Sequence, residues 1–281
     1  MNIAVIFNQR KESGFKCASE TIDALTKLKT NVFVDKRYIP VFGIFSANFV
    51  DYQNLFSLSD IIVAVGGDGT IMRIAKEAAE YNKPVLGINV GRLGFLSTIE
   101  KNQLDKLSCL VDKNYKINKR MMFEVIKKDK KSYAINDISI NREIDSPIAD
   151  FILRYSGNEL CRYRADGMVV STPTGSTGYS LSAGGPIVDA DLECSIITPV
   201  CAHCMSPRSM VLSANKKISV EYILKHGARV GVSIDGVIWE ISEETCSIDI
   251  KKSEVYAQFI CLNQSNFYQK INSKLINRVV E

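Results

Sequence analysis

The strongest structural signal in the chain is the stretch Ile61-Ile62-Val63-Ala64-Val65-Gly66-Gly67-Asp68-Gly69-Thr70. Its first five residues show no polar alternation, which is typical of a parallel strand that is covered on both faces. Three glycines then permit a tight turn, and helical spacing follows from Thr70 to Tyr81. The stretch therefore predicts one strand, turn and helix of a doubly wound α/β domain.

The same alternation of short apolar runs and helical spacing extends outward on both sides of this stretch. It predicts an N-terminal α/β domain over residues 1–116 with a parallel sheet. The predicted strands are Asn2–Phe7, Asn31–Val34, Asp60–Val65 and Pro84–Asn89, and the predicted helices are Ser13–Lys29, Thr70–Tyr81 and Lys101–Asp112.

The rest of the chain has a different pattern, in which β-branched segments alternate with turn residues. This pattern predicts an all-β domain over residues 117–262, folded as a sandwich. Residues 263–281 return to helical spacing, which predicts a C-terminal helix that packs back on the first domain. The predicted strands are Tyr115–Lys127, Ser132–Asn141, Ala149–Tyr155, Met168–Ser171, Lys217–Ile223, Val230–Ile234, Cys246–Ile250 and Val255–Cys261.

The composition of the 281-residue chain is that of a globular protein and excludes several other classes. The formal net charge of +4 is too weak for sequence-independent binding of nucleic acid. No apolar run approaches the roughly 18 residues of a membrane span, and the N-terminus lacks the pattern of a signal peptide. We therefore expect neither nucleic acid nor a membrane as a partner.

The eight cysteines are scattered and mostly lie in apolar runs, which is typical of reduced thiols in a cytoplasmic protein. The sequence Cys201-Ala202-His203-Cys204 resembles a zinc or redox motif. A zinc site needs further ligands, and His226 is the only other histidine. Buried thiols are therefore the favoured interpretation.

The turn Gly66–Thr70 has the features of a phosphate-binding site. Its glycines let a ligand approach the backbone, and the N–H groups that begin the next helix attract anions, with Thr70 as a candidate cap. The carboxylate of Asp68 would repel a phosphate unless it binds a metal or a hydroxyl proton, so Asp68 is a candidate catalytic residue. The alternative is a glycine-rich turn with an incidental aspartate.

Two further segments stand out because they break the β pattern. The block Thr172–Pro186 is rich in hydroxyls and glycines and carries an aromatic ring at Tyr179, as a nucleotide pocket requires; a plain connecting loop is the alternative. Asn136-Asp137 interrupts a strand-like segment, which favours either a ligand contact or a turn. A serine hydrolase is excluded because Gly175-Ser176-Thr177-Gly178 is not a nucleophile elbow.

Together these segments resemble the NAD kinase family, in order and in spacing, over nearly the whole chain. The resemblance extends to Asn89–Leu96, Ile197–Pro199 and Ser233–Gly236. It implies a Rossmann-like, phosphofructokinase-like α/β domain followed by a β-sandwich, with the C-terminal segment returning to the first domain. It also implies transfer of a phosphoryl group from ATP to the 2′-hydroxyl of the adenosine ribose of NAD, with a divalent cation, Mg²⁺ or Mn²⁺.

The resemblance also implies roles for individual residues and an oligomer. Asp68 would orient and deprotonate the hydroxyl, and the chain would form a homodimer or homotetramer. The family commonly has Glu where this chain has Asp137, which shortens the reach of that side chain by one methylene. By the same resemblance, Asn136 and Asp137 would hold ribose hydroxyls, and Gly69 and Arg73 would contact the dinucleotide or its phosphates. Arg164 and Asp166 would line the nicotinamide half or an adjoining subunit. The adenine block, which would surround the adenine, consists of Thr177, Gly178, Tyr179, Ser180, Leu181 and Ser182.

Two other functions compete with this one. Lipid kinases of the diacylglycerol or sphingosine type also carry a Gly-Gly-Asp-Gly-Thr turn, but they leave Thr172–Pro186 and Asn136-Asp137 without a role. A non-catalytic dinucleotide sensor would keep the pocket without the chemistry. A pure binder would gain nothing from the carboxylate of Asp68 among phosphates, which argues against a sensor.

Overall fold

A computed structural model of the chain contains two compact units. Unit 1 comprises Met1–Lys119 together with the described residues from Ala257 on, and unit 2 comprises Arg120–Tyr256. Among the described residues, no helix is long and apolar enough to cross a membrane. The helix predicted over 263–281 lies outside the described residues, which are 1–8, 12–42, 46–91, 94, 96–203, 208–225 and 227–262.

Unit 1 is built on one sheet, sheet A, with the strand order β3-β2-β1-β4-β5-β20-β7 and β6 beside β5. The five pairs from β3 to β20 along this order are parallel, as the continuous apolar runs predict. The strands are β1 (Asn2–Phe7), β2 (Asn31–Asp35), β3 (Asn48–Val50), β4 (Ile61–Gly66), β5 (Val85–Asn89), β6 (Ile99–Glu100), β7 (Lys116–Arg120) and β20 (Ala257–Cys261).

The helices of unit 1 differ from the predicted ones in two places. α4 begins at Asp68, two residues before the predicted start, because the extended Gly67 and not Thr70 is its N-cap. The helix predicted over Lys101–Asp112 consists instead of a 3₁₀ turn, Leu104–Leu107, and the single turn α5. The α-helices are α1 (Glu12–Lys27), α2 (Ile39–Phe42), α3 (Tyr52–Leu58), α4 (Asp68–Glu80) and α5 (Ser108–Val111), with a further 3₁₀ turn at Lys36–Tyr38.

Unit 2 consists of two six-stranded antiparallel sheets that share one apolar core. Sheet B has the order β12-β11-β16-β19-β8-β9, and sheet C has the order β15-β14-β13-β10-β17-β18. The strands are β8 (Phe123–Lys127), β9 (Lys130–Ala134), β10 (Asp137–Arg142), β11 (Ala149–Tyr155), β12 (Asn158–Ala165), β13 (Gly167–Ser171), β14 (Cys194–Val200), β15 (Met210–Ser213), β16 (Ile218–Ile223), β17 (Val230–Ile234), β18 (Val237–Ser242) and β19 (Cys246–Lys252).

The predicted boundary between the domains needs two corrections. The predicted strand Tyr115–Lys127 is two strands in different units, because β7 lies beside β20 in sheet A while β8 begins sheet B. The predicted strand Val255–Cys261 belongs to sheet A, where Phe259 pairs with Val85, and not to the sandwich that was predicted over 117–262. The apolar pattern of both segments is the same in either sheet, so pattern alone does not distinguish them.

Candidate active site

One candidate site lies in unit 1, where the strand order reverses between β1 and β4. Ligands of open α/β sheets bind at such a switch point, beyond the carboxyl ends of the strands. The structure has a cavity of about 570 Å³ at this edge. Its lining residues are Asn8, Gly14, Gly66, Gly67, Gly69, Thr70, Val90 and Gly91.

Backbone groups form much of the wall of this cavity. The N-terminal turns of α1 and α4 contribute Gly14 and Gly69, so N–H groups with no partner within their helices are close to the cavity. A Cβ atom on Gly14 would lie 2.6 Å from the carbonyl oxygen of Asn8, which makes glycine necessary there. Such a wall is suited to the phosphate groups of a ligand.

Asp68 is the first residue of α4, and its carboxylate is held by the segment that follows β5. Oδ1 accepts a hydrogen bond of 3.2 Å from the backbone N–H of Leu96. A Cβ atom on Gly94 would lie only 1.9 Å from the same oxygen, so the absence of a side chain at Gly94 makes this close approach possible. The segment after β5 therefore positions the carboxylate at the start of the helix.

Thr70 stabilises the turn in a way that differs from the predicted cap. Its backbone N–H donates to the carbonyl oxygen of Gly67, and its hydroxyl accepts a 3.3 Å hydrogen bond from the side-chain amide of Asn8. This contact joins the ends of β1 and β4, the two strands on either side of the switch point.

Arg73 lies one turn after Gly69 on α4, but its guanidinium group is engaged locally. Nη1 donates to Glu77 at 2.7 Å and to the hydroxyl of Tyr52 at 3.0 Å. Burial and the hydrogen bond from Tyr52 to Glu77 raise the pKa of Tyr52 to about 12, so this hydroxyl stays protonated. The predicted contact of Arg73 with the dinucleotide stays a prediction.

Another candidate site lies in unit 2, on the face of sheet C opposite the core. Ile138 and Ile140 of β10 belong to the core, so the alternate residues Asp137, Ser139 and Asn141 point to the other face. Asp137 and Ser139 are almost fully buried there, 6% and 5% exposed. A buried polar surface of this kind is typical of a ligand site rather than of packing.

The segment at Asn136 is fixed by the block that begins at Thr172. The backbone N–H of Thr172 donates to the carbonyl oxygen of Asn136, and its hydroxyl donates to that of Ile135 at 2.5 Å. Gly175 packs directly on this segment, since a Cβ atom there would lie 2.2 Å from the carbonyl oxygen of Asn136. Asn136 therefore belongs neither to β9 nor to β10. It lies where the chain crosses from sheet B to sheet C, and this crossing interrupts the predicted strand Ser132–Asn141.

Asp235 holds the same segment from the other side. Its carboxylate accepts hydrogen bonds from three consecutive backbone N–H groups, those of Ile135 (3.1 Å), Asn136 (2.7 Å) and Asp137 (3.3 Å). Its own N–H donates to the carbonyl oxygen of Asp137 at 2.9 Å. Asp235 has φ +52° and Gly236 has φ +76°, as the two central residues of a type I′ hairpin between β17 and β18 require.

The environment of Asp137 raises the pKa of its carboxyl group. Burial, together with the negative charge of Asp235, raises the pKa of Asp137 to about 7, although a hydrogen bond from the backbone N–H of Tyr179 acts in the opposite direction. A carboxyl group that titrates near neutrality can either accept or donate a hydrogen bond to a ligand.

The structure brings part of the predicted adenine block to these residues. A Cβ atom on Gly178 would lie 3.6 Å from Oδ2 of Asp137 and 3.8 Å from Nδ2 of Asn136, so the backbone passes closely over both. The block forms a 3₁₀ turn, Thr174–Thr177, and the single-turn helix α6, Tyr179–Ser182. Thr177, Tyr179, Leu181 and Ser182 remain accessible to different degrees.

Ser180 differs from the rest of this block because it is fully buried. Its hydroxyl pairs with that of Thr198 at 3.0 Å, and Gly185 packs against it. These contacts anchor α6 on sheet C, so we interpret Ser180 as a residue that holds the block in place.

Arg164 and Asp166 lie on different surfaces within unit 2. Arg164 of β12 pairs with Asp150 across sheet B, at 2.8 Å, on a largely exposed face. Asp166 pairs with Nε of Arg142 at 2.7 Å, and Arg142 also donates to the carbonyl oxygen of Ser146. Among the described contacts, none joins either residue to Asn136 or Asp137, so their predicted role at the nicotinamide half stays a prediction.

The cysteine motif is only partly described. Cys201 is exposed with φ +47°, and Cys204 and His226 lie outside the described residues. Exposure of Cys201 corrects the prediction that the thiols of this motif are buried. Within the described part of the chain, His, Cys, Asp and Glu form no group of three that could hold a metal ion.

Comparison with protein families gives two matches that together cover most of the chain. Residues 3–115 match the ATP-NAD kinase N-terminal domain, and residues 135–262 match the ATP-NAD kinase C-terminal domain. The NAD kinase of Natranaerobius thermophilus is 34% identical over 280 residues, which are 98% of this chain and 97% of the relative. That of Caldanaerobacter subterraneus subsp. tengcongensis is 37% identical over 267 residues, 90% and 94% of the two chains.

Two solved structures are similar over nearly the whole chain. An NAD kinase from Archaeoglobus fulgidus in complex with ATP has a TM-score of 0.77 at 28% identity and covers 97% of this chain and 98% of its own. A yeast NADH kinase complexed with NADH has a TM-score of 0.89 at 24% identity, and the match covers 100% of this chain and 89% of the yeast chain. At this identity, the similarity supports the fold alone. The predicted order of an N-terminal α/β domain and a C-terminal β-sandwich is thereby confirmed.

Proposed function

The chain belongs to the ATP-NAD kinase family, and we propose that its two part-sites carry out the reaction of an NAD kinase. The γ-phosphoryl group of ATP is transferred to the 2′-hydroxyl of the adenosine ribose of NAD, giving NADP. The observation that carries the assignment of roles is the carboxylate of Asp68 at the N-terminus of α4, beside a cavity walled by backbone N–H groups.

Asp68 acts as the catalytic residue. A ribose hydroxyl is a weak nucleophile, so a carboxylate that accepts its hydrogen bond orients the oxygen and takes its proton as the bond to phosphorus forms. The contact with Leu96 and the close approach of Gly94 restrict the rotation of this carboxylate. A fixed base avoids the entropic cost of ordering it during the reaction.

The cavity between α1 and α4 takes the phosphates of the donor. The N–H groups and the helix dipoles at the two helix starts balance part of the phosphate charge. Mg²⁺ or Mn²⁺ fits this arrangement as an ion held by substrate phosphates and at most one or two carboxylates, for which Asp68, between the lining residues Gly67 and Gly69, is the candidate. When bound, the ion neutralises charge on the transferred phosphoryl group.

Unit 2 supplies the residues that bind NAD. Asn136 and Asp137 bind ribose hydroxyls, with Gly178 and Tyr179 next to them and Thr177, Leu181 and Ser182 around the adenine. Gly69 and Arg73 of α4 contact the dinucleotide or its phosphates, and Arg164 and Asp166 line the nicotinamide half or an adjoining subunit. The scattered cysteines agree with residence in the reducing cytoplasm.

The protein forms a homodimer or homotetramer through unit 2. Strand β18 is at the edge of sheet C, and three of its apolar side chains are exposed: Val237 (69%), Ile238 (65%) and Ile241 (50%). An unpaired strand edge with exposed apolar residues favours association with another copy.

The test measures NADP formed from ATP, Mg²⁺ and NAD, using a dehydrogenase that accepts only NADP. We expect Asp68→Asn to reduce kcat by a factor of roughly 10³ or more while the Kd for NAD changes less than threefold, because the substitution removes the base and keeps the shape. Asp23→Asn, which removes one partner of the exposed pair with Lys27, serves as the matched control. Binding of NAD by the wild type without formation of NADP would support the sensor instead.

A further inference from the structure

We propose that Asp235 is a positioning residue for NAD: its carboxylate fixes the backbone from Ile135 to Asp137 so that Asn136 and Asp137 present their side chains to the substrate. This inference rests on the proposed function and deepens it, because it assigns a role to Asp235, which lies at the tip of the β17–β18 hairpin and contacts the segment from Ile135 to Asp137 through its carboxylate and its backbone N–H. Asp235 is not a catalytic residue in this proposal.

The first argument is the number and direction of the hydrogen bonds. The two oxygens of Asp235 accept from three successive N–H groups, those of Ile135, Asn136 and Asp137. Three successive N–H groups that converge on one carboxylate form a concave set of donors that is suited to an anion. Loss of the carboxylate would leave these donors, which lie in a mostly buried segment, without their acceptor.

The second argument is the position of the held segment. Residues 135–136 form the crossing between β9 of sheet B and β10 of sheet C, so no ladder of either sheet fixes their backbone. Thr172 and Gly175 hold the carbonyl groups of this crossing, whereas Asp235 holds its N–H groups. The conformation of the crossing therefore depends both on the contacts to its carbonyl groups and on the hydrogen bonds from its N–H groups to Asp235.

The third argument is electrostatic. The groups that face Asp137 are Asp235 from the β17–β18 hairpin and Tyr179 from α6, which contributes its backbone N–H and, at longer range, its hydroxyl. The charge of Asp235 raises the pKa of Asp137 in addition to the effect of burial. Removal of that charge should lower the pKa of Asp137 and shift any property that depends on its ionisation to lower pH.

The backbone of Asp235 suggests two variants that separate function from folding. At φ +52°, asparagine and glycine are both tolerated, so neither substitution strains the hairpin. Asp235→Asn keeps one acceptor oxygen and loses the charge, whereas Asp235→Gly loses all acceptors. Asp249→Asn, which removes a carboxylate paired with Lys217 on sheet B, is the matched control.

The experiment measures the Kd for NAD by calorimetry without ATP, across pH 5.5 to 8.5, and the kinetics of NADP formation. We expect a Kd and KM for NAD at least tenfold higher in Asp235→Gly, a smaller increase in Asp235→Asn, an unchanged KM for ATP and a kcat within threefold of the wild type. We also expect the midpoint of the pH dependence of NAD binding to move to lower pH in Asp235→Asn.

The measurements distinguish a failure of the role proposed for Asp235 from a failure of the proposed function. A Kd for NAD within twofold of the wild type in both folded variants, with an unshifted midpoint, would overturn the role of Asp235 even if the wild type makes NADP. A lower melting temperature with unchanged Kd would mean that Asp235 only stabilises the fold, which also contradicts the proposal. Failure of the wild type to make NADP would count against the proposed function, and the calorimetric result would still decide the role of Asp235.

Discussion

At the scale of one residue, the buried carboxyl group of Asp137 lowers the free energy of unfolding at neutral and higher pH. Its pKa of about 7 lies above the ordinary value of 3.8, so between about pH 4 and pH 7 the folded state binds a proton that the unfolded chain releases. The contribution of this group to stability is therefore greatest below pH 4 and is lost as the pH rises through 7.

We accordingly expect Asp137→Asn to be more stable than the wild type at pH 8, by up to about 4 kcal/mol, with the difference disappearing near pH 4. Urea unfolding can be followed by the fluorescence of Trp239, which is the only tryptophan and lies on β18 of unit 2. Asp145→Asn, at an exposed position, should show no such pH dependence. Equal stability of Asp137→Asn and the wild type at pH 8 would contradict the shifted pKa.

The sequence predicts some site residues much better than others for a physical reason. Asp68 and Asn136-Asp137 are anomalies within their own local patterns, a carboxylate in a phosphate turn and polar residues in a strand, and can therefore be found locally. The local signal at Asp235 is an Asp-Gly hairpin, which explains the turn but not the partner. That partner lies 98 to 100 positions away, and only the fold brings it close.

At the scale of elements, the start of α4 depends on the segment after β5. Gly94 is within reach of Asp68 only because it lacks a Cβ atom, which would otherwise lie 1.9 Å from the carboxylate. The contact joins the ends of two neighbouring strands, β4 and β5, through residues that no periodic pattern marks.

We expect Gly94→Ala to push the carboxylate of Asp68 away from its position and to lower kcat by about 10²-fold or more, as a misplacement of about 1 Å can do. The free energy of unfolding should fall by about 1–3 kcal/mol, as in other overpacked sites. Steady-state kinetics and thermal unfolding measure the two effects. Glu80→Ala at the exposed end of α4 is the control, and a kcat near that of the wild type in Gly94→Ala would argue against a fixed carboxylate.

Elements with a sustained hydrophobic periodicity are predicted well, whereas segments in which the chain passes from one sheet to another are not. The strands β1, β2, β4 and β5 and the helices α1 and α4 appear within a few residues of their predicted bounds. The predicted strands Tyr115–Lys127 and Ser132–Asn141 each divide between two sheets, because alternation continues across the crossing while the chain turns. The elements that have no predicted counterpart are α2, α3, β3, β6, β12, β14, β15 and β18.

At the scale of the whole molecule, the edge strand β18 gives a test of assembly. We expect Ile238→Glu to place a charge in the interface and to reduce the mass measured by analytical ultracentrifugation to that of a smaller species. Ile144→Glu is the control, because Ile144 is 92% exposed and lies in the turn between β10 and β11 rather than on the edge strand. An unchanged mass for Ile238→Glu would mean that another surface forms the oligomer.

The position of β20 has a consequence for the order of folding. The chain leaves sheet A after β7 and returns to it only at Ala257, so the pairing of β7 with β20 closes a loop of well over a hundred residues. Closure of such a loop in an unfolded chain costs about 4 kcal/mol or more of entropy. Within unit 2, the N–H of Ser253 donates to the carbonyl oxygen of Met122, so a folded sandwich already holds the two ends of this loop together.

The ribosome therefore delivers the last interior strand of the first sheet only after the whole sandwich has been synthesised. We expect the sandwich to gain protection from hydrogen exchange first, because it holds together the two ends of the loop that β7 and β20 close. During refolding, hydrogen exchange should therefore slow in β13 before it slows in β20. Simultaneous protection of both strands would show that the two units fold as one.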